Sequence, residues 1–108
     1  PAYADNLNPY CAAGKDKPFA RTYQSPMSFT WECMVRALDW RLRMHLADDV
    51  ETQRKASQAR VEYLSSEGLT LTAPFFSLLG DYEKSTMPFD EFVPVMFEKL
   101  PPCGEKPD

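Results

Sequence analysis

The stretch SFTWECMVRALDWRLRMHL, residues 28–46, decides the fold. Large apolar residues recur in it at three- and four-residue spacing, at Trp31, Met34, Val35, Leu38, Leu42 and Leu46. This spacing places them on one face of an α-helix. Ser28 can cap the N-terminus, and Glu32 suits the helix dipole. We therefore predict a helix from about Ser28 to Leu46, and Trp40 and Met44, which lie off the stripe, suggest a second contact.

A second predicted helix carries an arginine in an unusual place. Asp48 and Glu51 have the spacing of a capping box, and the helical pattern continues to about Ser65. One stripe of this helix contains Val50, Arg54, Ser57, Val61 and Leu64, which fall within about 80° of each other. Two interpretations of Arg54 stay open: it lies at the edge of the stripe or pairs with a local carboxylate, or it meets an anionic group of another chain.

The remaining segments complete an all-α prediction. A short helix is expected near Thr72, and the stretch MPFDEFVPVMFEKL forms the last element, which Pro94 would kink or split. The fold class is thus a small irregular helical domain of three to four helices with an extended N-terminal arm. The boundaries are an arm over residues 1–27, a helical domain over 28–100 and an irregular tail over 101–108.

The predicted arm is rich in both prolines and aromatic residues. Its four prolines interrupt any helix, whereas a free solvated tail would carry fewer aromatic side chains. The arm therefore needs a surface to lie on, either the chain's own helices or a partner chain. The residues predicted to bind a partner are Tyr3, Tyr10, Phe19, Tyr23, Trp31 and Trp40.

Composition excludes several classes of protein. The 108 residues correspond to one domain, and the net charge of −4 argues against nucleic acid as the main partner. No apolar run approaches the ~20 residues of a membrane helix, and no signal-peptide pattern is present. Three widely spaced cysteines favour a reducing cytoplasm, although Cys11 and Cys103 could pair and join the two irregular ends.

Motifs for catalysis or metal binding are missing from the sequence. It contains no Gly-rich phosphate loop, no GxSxG, HExxH or CxxC motif, and only one histidine, His45. We therefore expect no metal site and no catalytic activity in this chain alone. The chain is predicted to act as a non-catalytic subunit bound to another chain.

The order of several short motifs resembles the helical N-terminal domain of nitrile hydratase β subunits. Phe29-Thr30-Trp31-Glu32 followed by Ala37-Leu38 is similar to the "WE…AL" opening of that domain. The pieces Gln53-Arg54, Tyr63-Leu64, 75–79 and 89–92 follow in the family's order. The resemblance covers about residues 19–100. Two features depart from it: SSEGLTLTAPFF lacks the family's Tyr-Tyr-x-x-Trp segment, and the chain stops before the family's β-barrel domain.

The resemblance implies a specific role. In three-subunit members, such as thiocyanate hydrolase and toyocamycin nitrile hydratase, the helical and β-barrel halves are separate chains. A metal-binding α subunit holds Co(III) or Fe(III) in a CxxCSC motif with two oxidised cysteines, and β-chain arginines hydrogen-bond to their oxygens. Arg54 matches one such arginine. The implied partners are that α subunit and a separate β-barrel subunit, and this chain itself holds no cofactor.

Two alternatives stay open beside the β-type subunit. One is an accessory protein of the same family, which helps to load the metal and binds the α subunit transiently. The other is an unrelated helical interaction module, such as an immunity or adaptor protein, in which Arg54 is only a surface residue.

Overall fold

A computed structural model of the chain describes residues 4–20 and 25–103. In this part of the chain the secondary structure is all-α, which confirms the predicted fold class. The helices are α1 (Ala4–Gly14), α2 (Pro26–Leu46), α3 (Val50–Ser66), α4 (Thr72–Glu83) and α5 (Phe89–Lys99). α2 to α5 correspond to the predicted elements, and α1 adds a helix where extended chain was expected.

α2 begins two residues earlier than the predicted start at Ser28. Ser25 is its N-cap, and the Ser25 hydroxyl accepts a hydrogen bond from the Ser28 amide at 3.1 Å. Pro26 occupies the first turn, where its missing N–H has no intrahelical partner to lose. The serine that the sequence analysis chose as the cap is therefore the residue whose amide is capped.

α3, in contrast, is capped one residue later than expected, by Asp49 instead of Asp48. The Asp49 carboxylate accepts hydrogen bonds from the Thr52 amide at 3.1 Å and the Thr52 hydroxyl at 2.8 Å. These two bonds lower the pKa of the Asp49 carboxyl. Thr52 thus occupies the third helical position, which Glu51 would hold in a capping box that begins at Asp48.

Residues Ala4–Gly14 are helical where the sequence analysis expected part of an extended arm. Tyr10 is the reason: its ring is buried in the core at 3% exposure, and its hydroxyl donates to the Pro101 carbonyl. The Thr70 hydroxyl donates to the Tyr10 carbonyl at 2.5 Å. These contacts hold α1 against the domain, with Pro9 inside the helix.

The core forms where α2 lies against both α3 and α4. Cys33 and Ala37 of α2 are fully buried there, and small residues let neighbouring helix axes approach closely. Larger side chains of the other helices fill the space around them, namely Val61, Leu64, Phe75, Phe76, Leu79, Phe92 and Met96. The Ser57 hydroxyl adds a polar link by donating to the Trp40 carbonyl at 3.1 Å.

α5 runs through Pro94 as one helix from Phe89 to Lys99. Proline removes one helical hydrogen bond, so packing must hold this element together. Phe92 and Met96 are buried, and Tyr82 of α4 packs its ring against Phe89 and Phe92 with centroids 5.4 and 5.3 Å apart. No helix in the described ranges is long and apolar enough to cross a membrane.

Gly68 ends α3 in a left-handed conformation with φ of 123°. The Leu69 amide donates to the Leu64 carbonyl at 3.0 Å and the Gly68 amide to the Ser65 carbonyl at 3.3 Å, which is a Schellman motif. The end of α1 lies against this turn, because a Cβ on Gly14 would be 2.0 Å from the Gly68 carbonyl oxygen. The two glycines therefore let backbone pack on backbone.

A pair of glycine substitutions tests this contact. Gly14→Ala should lower the free energy of unfolding by about 2 kcal/mol, because the new methyl group cannot fit against the Gly68 backbone. Gly80→Ala is the matched control in α4, where a Cβ would lie 3.4 Å from the Arg41 guanidinium. It should leave stability unchanged or raise it by up to about 1 kcal/mol through helix propensity. Urea denaturation followed by circular dichroism measures both, and equal effects would contradict the close approach.

Candidate functional site

α2 exposes a row of large apolar side chains along its whole length. We call this row the α2 stripe, and its members are Met27, Trp31, Val35, Leu38, Leu42 and Leu46. Their exposed fractions range from 36% at Leu38 to 75% at Leu46. Buried residues of α2, such as Phe29, Cys33 and Ala37, lie on the opposite side of the helix. An exposed row of this kind is typical of a surface that binds another protein.

The simplest interpretation of the α2 spacing is that the apolar face packs against the core, and the exposure of the stripe differs from it. Of the six residues that define the predicted apolar face, only Met34 is buried. Two residues off that face are less exposed than the face itself: Trp40 is half-buried and Met44 is buried. At 100° per residue the stripe covers an arc of about 100° that faces away from the core. α2 therefore has two apolar sides, and the helices packed against it, α1, α3 and α4, leave one of them exposed.

Ion pairs within α2 border one edge of the stripe. Arg36 Nε lies 2.8 Å from the Glu32 carboxylate, and Arg43 Nε lies 3.2 Å from the Asp39 carboxylate. The Arg43 guanidinium also stacks over the Trp40 ring, with its Cζ 4.7 Å from the ring centroid. Both acidic groups on this edge are thus already paired within their own helix.

A half-buried ion pair links α2 to the end of α4. The Arg41 guanidinium donates to both oxygens of Glu83, with Nε–Oε2 at 2.8 Å and Nη2–Oε1 at 2.5 Å. It also donates to the Phe76 carbonyl at 3.2 Å and lies over the Phe76 ring. His45 Nε2 lies 3.0 Å from Glu83 Oε1. With its side chain only 15% exposed, Arg41 is the least exposed of the described arginines.

Arg54, the arginine that the sequence analysis singled out, lies on the surface. Its side chain is 50% exposed, and it forms two hydrogen bonds to the Glu51 carboxylate, Nε–Oε2 at 3.0 Å and Nη2–Oε1 at 2.5 Å. Pairing with a local carboxylate was one of the two open interpretations. Val50, one turn away on the same side of α3, is also exposed.

Of the six aromatic residues predicted to bind a partner, the structure describes four, and their side chains differ in how far they are buried. Tyr3 and Tyr23 lie outside the described residues. Tyr10 is buried in the core at 3% exposure, where its ring contacts residues of its own chain. Phe19 is half-buried and packs edge-on against Tyr63, and Trp40 is half-buried against the core. Trp31 is exposed, at 46%, and it belongs to the α2 stripe.

The cysteines are free thiols in different environments. Cys33 is fully buried, and burial raises the pKa of its thiol to about 12, so it is not a nucleophile at neutral pH. Cys11 is half-buried and Cys103 is exposed. Among the described residues, no three His, Cys, Asp or Glu side chains are grouped so that they could hold a metal ion.

Glu83 gives the fold a predictable response to acid. Burial alone would raise the pKa of its carboxyl, but hydrogen bonds from Arg41 and His45 outweigh burial and lower the pKa below its ordinary value of 4.5. The unfolded chain therefore binds this proton more readily than the folded chain. The stabilisation is complete above pH 4.5 and is lost as the pH falls through the lower, folded-state pKa.

Glu83→Gln tests this ion pair. At neutral pH the substitution should lower the free energy of unfolding by about 1–2 kcal/mol, because Arg41 loses its charged acceptor. The difference between the parent and the variant should shrink as the pH falls below 4.5. Urea titrations at a series of pH values measure it, with Glu98→Gln on the exposed face of α5 as the control. A difference that does not depend on pH would contradict the assigned pKa direction.

No family model matches the chain, and no curated protein or solved structure matches it either. The resemblance to nitrile hydratase β subunits therefore depends on the residues that carry it in the sequence. These residues lie on α2 to α5.

Proposed function

We propose that the chain is a non-catalytic, β-type subunit of a nitrile hydratase-like metalloenzyme. The partner α subunit would hold cobalt or iron, which supplies metal-assisted hydration of a nitrile or of thiocyanate. A separate β-barrel subunit would complete the assembly. The order of the motifs along α2 to α5 supports this proposal, as does the position of Arg54.

The observation that carries the proposal is the position of Arg54, which lies at the surface of α3 with one edge of its guanidinium bound to Glu51. Glu51 binds Nε and one Nη2 hydrogen of the guanidinium, and Nη1 has no partner among the described residues. A guanidinium fixed along one edge can donate to an external oxyanion with little further loss of conformational freedom. The oxidised cysteines of an α subunit would supply such oxygens. Exposed Val50 beside Arg54 would provide an apolar contact with the same partner.

A surface position suits this role better than a buried one. Exposed ion pairs such as Glu51–Arg54 stabilise a protein by about 0–1 kcal/mol, so a partner anion can share or displace the carboxylate at little cost. A buried guanidinium without its partner would destabilise the free chain. Arg54 can therefore exist in the free subunit and act only in the complex.

We also propose a cytoplasmic location. The odd number and wide spacing of the three cysteines support a reducing compartment, because secreted disulfide-rich domains usually carry an even and denser set.

Arg54→Lys tests the proposed role in a complex co-expressed with a CxxCSC-containing subunit. Lysine keeps the charge but not the planar fork, so nitrile hydration should fall by about 10–100-fold while the fold and the assembly persist. Arg60→Lys is the matched control, because Arg60 is an exposed arginine of the same helix that lies over the Tyr63 ring. Activity assays, circular dichroism and the metal content of the complex are the measurements. Full activity of the Arg54→Lys complex would contradict the role of Arg54, and failure to form any complex would contradict the proposed family.

A second candidate function is a helical interaction module outside this family. The α2 stripe favours it, because an exposed apolar row needs only a protein partner and no metal subunit. The two candidates differ in the gene neighbourhood: a neighbouring reading frame that encodes CxxCSC supports the hydratase subunit, and the lack of such a frame favours the module.

A further inference from the structure

The members of the α2 stripe are arranged symmetrically along the helix. Their spacing is four, four, three, four and four residues, which is the same in both directions. The centre of the row is the peptide bond between Arg36 and Ala37. Positions equally far from this centre are Met27 and Leu46, Trp31 and Leu42, and Val35 and Leu38.

We propose that the α2 stripe binds the α2 stripe of a second copy of this chain, with the two helices antiparallel. A two-fold axis requires one surface patch to be complementary to itself. With the axis at the Arg36–Ala37 level, Met27 meets Leu46 of the other copy, Trp31 meets Leu42, and Val35 meets Leu38. Every apolar residue of the row then faces an apolar residue, and no member is left opposite a charge.

The centre of the row has the spacing of an interlocking helix pair. Trp31, Val35, Leu38 and Leu42 are separated by four, three and four residues. This is the 3.5-residue repeat with which side chains of two paired helices pack into each other. The contact extends along the 21 residues of α2, which correspond to about 31 Å.

The exposed area suits a dimer of this size. Together the exposed parts of the six side chains amount to on the order of 600 Å², the upper end for the largest apolar patch of a monomer. A standard interface takes about 800 Å² from each partner, and about 65% of a homodimer interface is apolar. The stripe therefore supplies the apolar part of one such interface.

The charges beside the stripe permit two copies to approach. Glu32 and Asp39 are the acidic groups on the edge, and Arg36 and Arg43 already neutralise them within the helix. On the other edge, Glu83 is paired with Arg41 and His45. Two copies therefore bring together neutral ion pairs, without a row of like charges that would oppose the dimer.

Dimerisation through the stripe is independent of the proposed enzyme function, because it needs no metal subunit and uses a different helix from Arg54. The purified full chain alone is sufficient for the test. Sedimentation velocity should show a concentration-dependent dimer in the micromolar range. Val35→Glu should raise the dimer dissociation constant by about tenfold or more, since a carboxylate at the centre of each copy would lose water without gaining a partner. Ala59→Glu on the exposed side of α3 is the control and should leave the dimer unchanged.

Disulfide trapping tests the direction of the helices. In a Cys11→Ser, Cys103→Ser background, Met27→Cys chains mixed with Leu46→Cys chains should form a cross-linked heterodimer on mild oxidation. Met27→Cys chains alone should not cross-link, because two copies of position 27 would lie about 28 Å apart, beyond the ~7 Å reach of a disulfide.

Three results would overturn the proposal. The first is a chain that stays monomeric throughout the micromolar range. The second is efficient cross-linking of Met27→Cys with itself, which indicates parallel helices. The third is a dimer that Val35→Glu leaves intact. If the purified chain is monomeric and Val35→Glu instead prevents binding of a co-expressed metal subunit, the stripe belongs to that subunit; the homodimer is then wrong, but the proposed function still holds.

Discussion

The close packing of α2 against α3 and α4 is the contact on which the rest of the structure depends. Cys33 and Ala37 are small enough to bring α2 near both neighbours, and both are fully buried. Phe29 and Met34 on the same side fill the remaining space. Because this side of α2 faces the core, the larger side chains at Trp31, Val35, Leu38 and Leu42 must point outward. The α2 stripe is thus a consequence of how the core is built.

Two arginines illustrate how position determines the use of a charge. Arg41 lies between α2 and α4, where Glu83 and the Phe76 carbonyl satisfy its donors, so it links two helices. Arg54 lies on the outer side of α3 and pairs with Glu51, a residue of the same helix. The first is committed to the fold and the second is available to a partner. A proposal that gives Arg54 a role in another subunit's site is consistent with that difference.

Much of the helical architecture could be predicted from local patterns. The periodicity of α2, the caps of α2 and α3 within three residues of their true positions, and the start of α4 near Thr72 all follow from residue types and spacing. α1 could not be found in this way, because Pro9 argues against a helix and the decisive contact joins Tyr10 to Pro101, far away in the sequence. Short-range rules contain no information about such a contact.

The candidate surface was harder to predict for a related reason. Spacing marks Trp31, Val35, Leu38 and Leu42 as one face of a helix but does not say whether that face is covered. The pattern of large apolar residues does not mark Cys33 and Ala37 as the core side of α2, since small residues contribute little to apolar periodicity. Arg54 shared a stripe with Val61 and Leu64 on an ideal helical projection, yet it lies near the exposed N-terminal end of α3, where Glu51 can reach it.

Thiol labelling of the native chain would test most directly whether α2 buries its small residues and exposes its large ones. In a Cys11→Ser, Cys103→Ser background at low protein concentration, Cys33 is the only remaining thiol, and Val35→Cys adds a second one two residues away. The structure predicts that Cys33 stays unlabelled until the chain unfolds, since it is fully buried, whereas position 35 labels at once. Rapid labelling of native Cys33 with protection of position 35 would contradict the orientation of α2 and the stripe that depends on it.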